Sequence, residues 1–211
     1  MNIFSPLLLS LSSHLDTFRV SSFCSLKKIS IQKAQILIIS IITTFATFIS
    51  MGIGELISKL LLKEIVIPFG CILLIFIGTY FFVEHIRLKK KSRNEDTSYY
   101  VEDNSRFGLL LKEGNMSPFA NSSHISFKDT LSLSIFLSKT NILLGLIAGL
   151  LNISIPLSIF FSFIISILMI LIGNFITKFS FSNWIGKNFY VFSGILLIFW
   201  GLCEYLISYL Q

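Results

Sequence analysis

Charged side chains are scarce in this sequence of 211 residues, where Asp, Glu, Lys and Arg together make up 13% of the chain. A soluble domain carries about 25% charged residues. The deficit is too large for a surface that faces water, and it suits a surface that faces lipid, where charge is costly. Hydrophobic residues make up 54% of the chain, and Phe alone contributes 22 residues. The composition therefore predicts an integral membrane protein.

Cysteine is also rare, and the three residues are scattered in or beside apolar segments at Cys24, Cys71 and Cys203. Their spacing fits no metal site, and their odd number argues against a disulfide framework. We interpret them as small packing residues. The nucleotide-binding loop, the His-Glu-x-x-His motif and a Ser-His-Asp pattern are likewise missing from the sequence. We therefore predict no catalytic residues, no metal ligands and no cofactor, and we do not expect an enzyme.

Six apolar segments are each long enough to span a bilayer, which takes about 20 residues. Lipid offers no partners to backbone N–H and C=O groups, so an open chain crosses it as helices. The first segment has no basic region before it and contains His14 and Asp16, so we interpret it as a membrane helix and not as a signal peptide. The predicted spans are residues 4–25, 35–58, 65–86, 129–151, 155–177 and 188–210.

The basic residues give these spans an orientation. Most of them fall in the first, third and fifth connections, whereas the opposite side carries only Lys59 and Lys63. Because cytoplasmic loops are enriched in Lys and Arg, the odd-numbered connections are predicted to be cytoplasmic and both termini to lie outside. The formal net charge of +6 is accounted for in this way and does not indicate nucleic-acid binding. We expect a multi-pass protein of the cell membrane whose partner is the lipid bilayer.

The two halves of the chain resemble each other. Each half has three spans, so the halves would insert with opposite orientations, as inverted repeats do in many transporters. We predict an all-α protein with a first three-helix repeat over residues 1–86, a cytoplasmic loop over 87–128 and a second repeat over 129–211. The matching segments are Ile53–Leu60 with Ile172–Phe179, Gly70–Gly78 with Ser193–Gly201, and Ile29–Ile31 with Ile153–Ile155.

Ionisable residues deep in a span are functional candidates, because burying a charge in lipid is costly. Asp16 lies near the middle of the first span, and Arg19, three residues later, shares its helical face. Lys139 lies at similar depth in the fourth span and is followed by Thr140 and Asn141. These five residues are the candidates for an ion path or a midplane charge cluster. A structural ion pair and an ion site remain equal alternatives for Asp16.

Glu55 is a secondary candidate, because it follows Gly54 near the outer end of the second span. Its counterpart in the second repeat is Asn174. An interfacial carboxylate that reaches water is the favoured interpretation for Glu55.

With these residues the chain resembles the MntP family of manganese efflux proteins, and most closely its YtaF branch of sporulation membrane proteins. The family's first helix reads approximately Leu-Ser-x-Asp-x-Phe, and Ser13–Phe18 is similar to it. The segments Leu26–Ile31 and Ser50–Gly54 resemble the branch's basic turn and the end of its second helix. The resemblance implies six helices in two inverted repeats and a divalent cation as the candidate ligand.

The fourth span departs from the family pattern. The resemblance implies a second Leu-Ser-x-Asp motif there, but Leu137-Ser138-Lys139-Thr140 has threonine in place of the aspartate. The acidic segment of the YtaF branch before this span is represented by Pro118–Ser126, which has lost its acids. Hard divalent cations prefer several oxygen ligands. We therefore expect a YtaF-like sporulation membrane protein with an altered ion path, with a manganese exporter and a non-transporting scaffold as alternatives.

Overall fold

The computed structural model describes residues 3–26, 31–61, 63–91, 127–176 and 182–210. Within these ranges the chain is helical apart from short turns and contains no strand, as the sequence predicted. The described helices are α1 (Phe4–Ser13), α2 (Leu15–Leu26), α3 (Lys33–Leu60), α4 (Lys63–Lys91), α5 (Phe127–Leu150), α6 (Ile155–Ile176) and α7 (Ser182–Leu210).

Four of the described helical segments are long and apolar enough to cross a membrane. They lie in α3, α4, α5 and α6, over Lys33–Leu60, Ile65–Val83, Phe127–Leu150 and Ile155–Phe175. The apolar part of α7, Val191–Leu206, is shorter. The predicted first span is divided between α1 and α2. Membrane-spanning length is therefore established for four helices by length and composition.

The prediction of one continuous helix over residues 4–25 is wrong at His14, where α1 ends and α2 begins. Two backbone hydrogen bonds meet at His14, one from its N–H to the Ser10 carbonyl and one from Phe18 N–H to the His14 carbonyl, both 3.2 Å. The ends of two helices carry backbone groups without helical partners. Such a break is tolerated at membrane depth where protein encloses it, and His14 is fully buried.

The helices on either side of the predicted loop over residues 87–128 extend into it. Helix α4 continues through Lys91, and α5 begins at Phe127. The rest of that loop, residues 92–126, lies outside the described residues. The last helix also begins earlier than predicted, at Ser182.

The turn between α5 and α6 falls at the predicted break, residues 152–154. Asn152 has a left-handed backbone (φ 54°), which Asn adopts more readily than most residues. The N–H of Asn152 bonds the Gly149 carbonyl at 3.0 Å, and the N–H of Ile153 bonds the Ala148 carbonyl at 3.1 Å. This pair of bonds is the Schellman motif that ends many helices. The Asn152 amide also donates to Ser58 Oγ at 2.7 Å, which ties the turn to the end of α3.

The bundle is apolar outside and partly polar inside. Large hydrophobic side chains are exposed on its surface, including Phe45 (60%), Phe76 (67%) and Ile135 (65%). Hydroxyl side chains are buried within it on α1, α3, α5 and α6. A soluble protein has the opposite distribution, because its surface must interact with water. The arrangement fits a lipid environment.

Two apolar clusters, besides the pair Leu15 and Phe18, form much of the remaining interior of the described residues. The large apolar cluster joins Leu8, Leu9, Met51, Cys71, Leu74, Leu144, Ile147, Ala148, Leu151, Ile153, Leu197 and Trp200. The small apolar cluster joins Val20, Cys24, Ile36, Ile39, Leu133, Leu137 and Ile170. Each cluster brings together residues from both halves of the sequence, and the candidate site lies between them.

Candidate functional site at the centre of the bundle

A layer of buried polar side chains separates the two apolar clusters. On α3, Thr43 lies between Ile39 of the small cluster and Met51 of the large one. On α5, Asn141 lies in the same way between Leu137 and Leu144. Thr43 and Asn141 therefore lie at the same height along the helix axes, near the middle of the bundle. The central polar layer, as we name it, consists of His14, Thr17, Thr43, Asn141, Ser162 and Ser166, all at most 2% exposed.

His14 connects the broken first segment to α6. Its ring nitrogen Nε2 lies 2.7 Å from Ser162 Oγ, and its Nδ1 lies 3.5 Å from Thr17 Oγ1. One turn along α6, Ser166 Oγ lies 3.5 Å from Thr43 Oγ1 of α3. Sequence reasoning did not assign these residues to a site. The signal was available in the fifth predicted span, where serine recurs every four residues at 154, 158, 162 and 166 and so defines one helical face.

Asp16 and Thr140, two of the predicted site residues, are in direct contact. Thr140 Oγ1 donates a hydrogen bond to Asp16 Oδ2 at 2.7 Å, and both side chains are half-buried. Asp16 belongs to the first turn of α2, immediately after the break at His14. Carboxylates are favoured in the first turn of a helix, where backbone N–H groups point outward along the axis. The contact joins the first helix of one half of the sequence to the first helix of the other.

The two basic candidates, Lys139 and Arg19, do not belong to the central polar layer. Lys139 is exposed on the side of α5, with its Nζ 5.6 Å from the centre of the Phe136 ring. Arg19 is half-buried on α2. The sequence predicts a contact between Asp16 and one or both of these cations, and this stays a prediction beside the hydrogen bond that Asp16 accepts from Thr140. Asn141 points to the interior, fully buried in the central polar layer.

Glu55, the secondary candidate, forms a surface ion pair. Its Oε1 lies 2.7 Å from Lys59 Nζ, one turn later on α3, and the Lys59 side chain is 65% exposed. Exposed pairs of this kind contribute little to stability. A carboxylate elsewhere is better enclosed, because half-buried Glu204 of α7 accepts a hydrogen bond from Ser5 Oγ of α1 at 2.7 Å.

The arrangement supplies one carboxylate and several neutral oxygen and nitrogen groups. Within the described ranges, no three His, Cys, Asp or Glu residues come together as potential metal ligands. A hard divalent cation prefers six or more oxygen ligands, usually with more than one carboxylate. Asp16 and Thr140 together supply fewer oxygen ligands than such an ion prefers.

The described fold and its interior have the properties of a helical membrane protein. No protein-family model matches the chain, and no match was found among curated proteins or among solved structures.

Proposed function

We propose that the protein is a YtaF-like sporulation membrane protein that keeps the six-span, inverted-repeat fold of MntP transporters but has an altered ion path. The observation that carries the proposal is the Asp16–Thr140 hydrogen bond. A neutral hydroxyl occupies the place where the resembled family has a second aspartate. The family and sporulation parts of the proposal rest on the sequence resemblance.

Reciprocal helix contacts support the inverted repeat. A Cβ atom added at Gly78 of α4 would lie 2.9 Å from the Gly194 carbonyl oxygen of α7. A Cβ at Gly201 of α7 would lie 3.2 Å from the Cys71 carbonyl oxygen of α4. In the sequence alignment of the halves, Gly78 corresponds to Gly201 and Cys71 corresponds to Gly194. A two-fold rotation that exchanges the halves would therefore exchange these two contacts.

The second pair of matching glycines supports the same relation. Gly54 of α3 packs against the Leu146 carbonyl of α5, and its counterpart Gly173 of α6 packs against the Phe18 carbonyl of α2. In each case the second helix of one half meets the first helix of the other. Inverted repeats commonly place a binding site near the membrane midplane, at their interface. Under this proposal the central polar layer would lie at such a position.

The charges on α2 and α5 favour an altered path over manganese export. Asp16 is accompanied by Arg19 and Lys139, so two cations oppose one anion along these helices. A divalent cation near them would experience net repulsion, which for unit charges at 4 Å is about 4 kcal/mol at an effective dielectric of 20.

Manganese tolerance tests this proposal. In a bacterial strain that lacks its own manganese exporter, expression of the protein is expected to leave manganese sensitivity unchanged. A manganese exporter expressed from the same vector serves as the positive control, and membrane abundance is measured in parallel. The protein could instead restore tolerance, and Asp16→Asn could abolish that tolerance without lowering membrane abundance. This pair of results would establish the manganese-exporter alternative.

A labelling experiment tests the topology. A single cysteine introduced at Ser98, in a background without Cys24, Cys71 and Cys203, is expected to resist an impermeant thiol reagent in intact cells and to react after permeabilisation. The physical reason is the enrichment of basic residues on that side of the predicted spans. A cysteine introduced near the N-terminus provides the control of opposite orientation. Labelling of Ser98→Cys in intact cells would refute the orientation.

A further inference from the structure

We propose that Asn141 marks a binding site, inside the helix bundle, for a small uncharged molecule that both donates and accepts hydrogen bonds, with water as its simplest occupant. This inference goes beyond the proposed function and does not depend on which ion, if any, the protein moves. It rests on buried polar atoms in the central polar layer.

Asn141 is the clearest of these observations. The side chain is fully buried, and neither Nδ2 nor Oδ1 has a hydrogen-bond partner among the protein groups described. A buried amide without partners is costly, and almost all such groups in proteins are bonded to protein or to ordered water. The amide offers two N–H donors and a carbonyl acceptor at one point in the bundle.

Two further orphaned groups lie on the neighbouring helix. The hydroxyls of Ser40 and Thr44 on α3 are buried and have no partner among the described groups. Most other buried hydroxyls of the bundle bond a carbonyl of their own helix, as Thr43 bonds the Ile39 carbonyl at 2.9 Å. The lack of partners is therefore confined to a few positions and is not a general property of the interior.

Helix packing places these groups at one level. On α5, Gly145 faces the Thr47 carbonyl, and Gly149, one turn further, faces the Met51 carbonyl. The two helices therefore run in the same direction with a fixed register. One turn back from Gly145 is Asn141, and one turn back from Thr47 is Thr43. Ser40 and Thr44 lie within a turn of that level, on the face that continues to Thr47 and Met51.

The chemistry of these groups selects an uncharged ligand. A cation could use the Asn141 oxygen and the hydroxyl oxygens but would leave the amide N–H groups without an acceptor. An anion could use the amide N–H groups and the hydroxyl O–H groups but would leave the Asn141 carbonyl without a donor. A molecule with both donors and acceptors satisfies all of them at once, and a buried water typically makes about three hydrogen bonds in such polar sites. The large and small apolar clusters lie on either side and confine the site to the central polar layer.

The chain contains a matched control in Trp200. Its indole Nε1 is also buried and without a described partner, but it lies in the large apolar cluster, among residues such as Leu74 and Leu197. An apolar site of this kind stays dry. The Asn141 amide and the Trp200 indole N–H are thus both buried and differ in whether their surroundings are polar or apolar.

Water-edited solid-state NMR on the full chain in lipid bilayers tests the inference. The protein is labelled with ¹⁵N in Asn and Trp side chains, and magnetisation is transferred from water for short mixing times. The Asn141 amide resonance is expected to gain signal at least several-fold faster than that of Trp200 Nε1. The Asn141 resonance is identified by its loss in Asn141→Leu, or by sequential assignment if that variant does not fold.

Three results would overturn the inference. The first is an Asn141 signal that builds up as slowly as that of Trp200, which would show a dry site. The second is equally fast transfer to both groups, which would show general water entry. The third is a shift of the Asn141 resonance on addition of NaCl or MnCl2, which would assign the site to an ion. Manganese tolerance of cells is measured in a separate experiment. The proposed function and the Asn141 site can therefore each fail without the other.

Discussion

Gly54→Leu is expected to abolish most of the folded protein, whereas Gly52→Leu, two residues earlier on the same helix, is expected to be tolerated. A Cβ atom at position 54 would overlap the carbonyl oxygen of Leu146 and lie 3.0 Å from Cα of Gly149. These are backbone atoms of α5, so they cannot move aside as a flexible side chain would. Close packing of small residues is a common way for membrane helices to associate, and a leucine here would force α3 and α5 apart.

The size of the effect follows from the kind of clash. Overpacking a well-packed interior typically costs about 1–3 kcal/mol and occasionally more. We expect the upper end or beyond, because backbone on both helices is involved. At Gly52, nothing lies within 4 Å of an added Cβ. Both substitutions gain helix propensity equally, so the comparison isolates the packing.

Yield and melting temperature of detergent-solubilised protein, followed by size-exclusion chromatography, measure this difference. Gly54→Leu should yield little monodisperse protein, and Gly52→Leu should behave like the unaltered chain. Gly54→Ala tests the milder case, because its Cβ alone already meets the Leu146 carbonyl. Equal melting temperatures for Gly52→Leu and Gly54→Leu would show that α3 and α5 do not pack as described.

Thr140→Asp is expected to destabilise the protein in the presence of EDTA and to make its stability dependent on manganese. The Thr140 hydroxyl oxygen lies 2.7 Å from Asp16 Oδ2, so a carboxylate at position 140 would face the existing one. Two unit charges at 4 Å repel by about 4 kcal/mol at an effective dielectric of 20. A divalent cation between them would remove the repulsion and gain carboxylate ligands of the kind it prefers.

Thermal melting with and without MnCl2 measures the effect. At a manganese concentration 100 times the dissociation constant, a ligand that binds only the folded state stabilises it by about 2.7 kcal/mol. The unaltered protein should show no manganese-dependent shift, because it has one carboxylate at this point. Thr140→Asn is the neutral control of similar shape, and the double change Asp16→Asn with Thr140→Asp should lose most of the response. A comparable shift in the unaltered protein would contradict the proposed function.

The sequence predicted the helical class of the fold and much of its segmentation for identifiable reasons. Long apolar segments and short polar breaks mark helices and turns, and the break at residues 152–154 is where the structure has a turn. The helix break at His14 was not predictable in this way. Neither Ser13 nor His14 is a strong helix breaker, so their identity alone does not mark a helix end. At the break the His14 ring lies 2.7 Å from Ser162 Oγ, a tertiary contact that the sequence does not reveal.

The candidate site was predicted in part. Asp16 was selected by its depth in the first span and Thr140 by its place in the motif of the resembled family, and the structure brings these two side chains together. Lys139 was included because of its depth, although helical periodicity places it opposite the face that buries Leu137 and Asn141. The role of Thr43 could not be read from sequence, because hydroxyl residues are frequent in all these helices. Its position became clear only from the packing of α3 against α5 and α6.

The buried hydroxyls of the bundle have a consequence for motion. Most bond the carbonyl four residues earlier in their own helix, as Thr47 does to Thr43, Ser138 to Ser134 and Ser158 to Ser154. Such bonds stay intact when a whole helix moves, whereas bonds between helices must break. The small hydroxyl side chains also interdigitate little with the side chains of the facing helix. Movement of one of these helices as a unit would keep the bonds within that helix and would instead have to break the bonds that join helices, such as those at Asp16, His14 and Asn152.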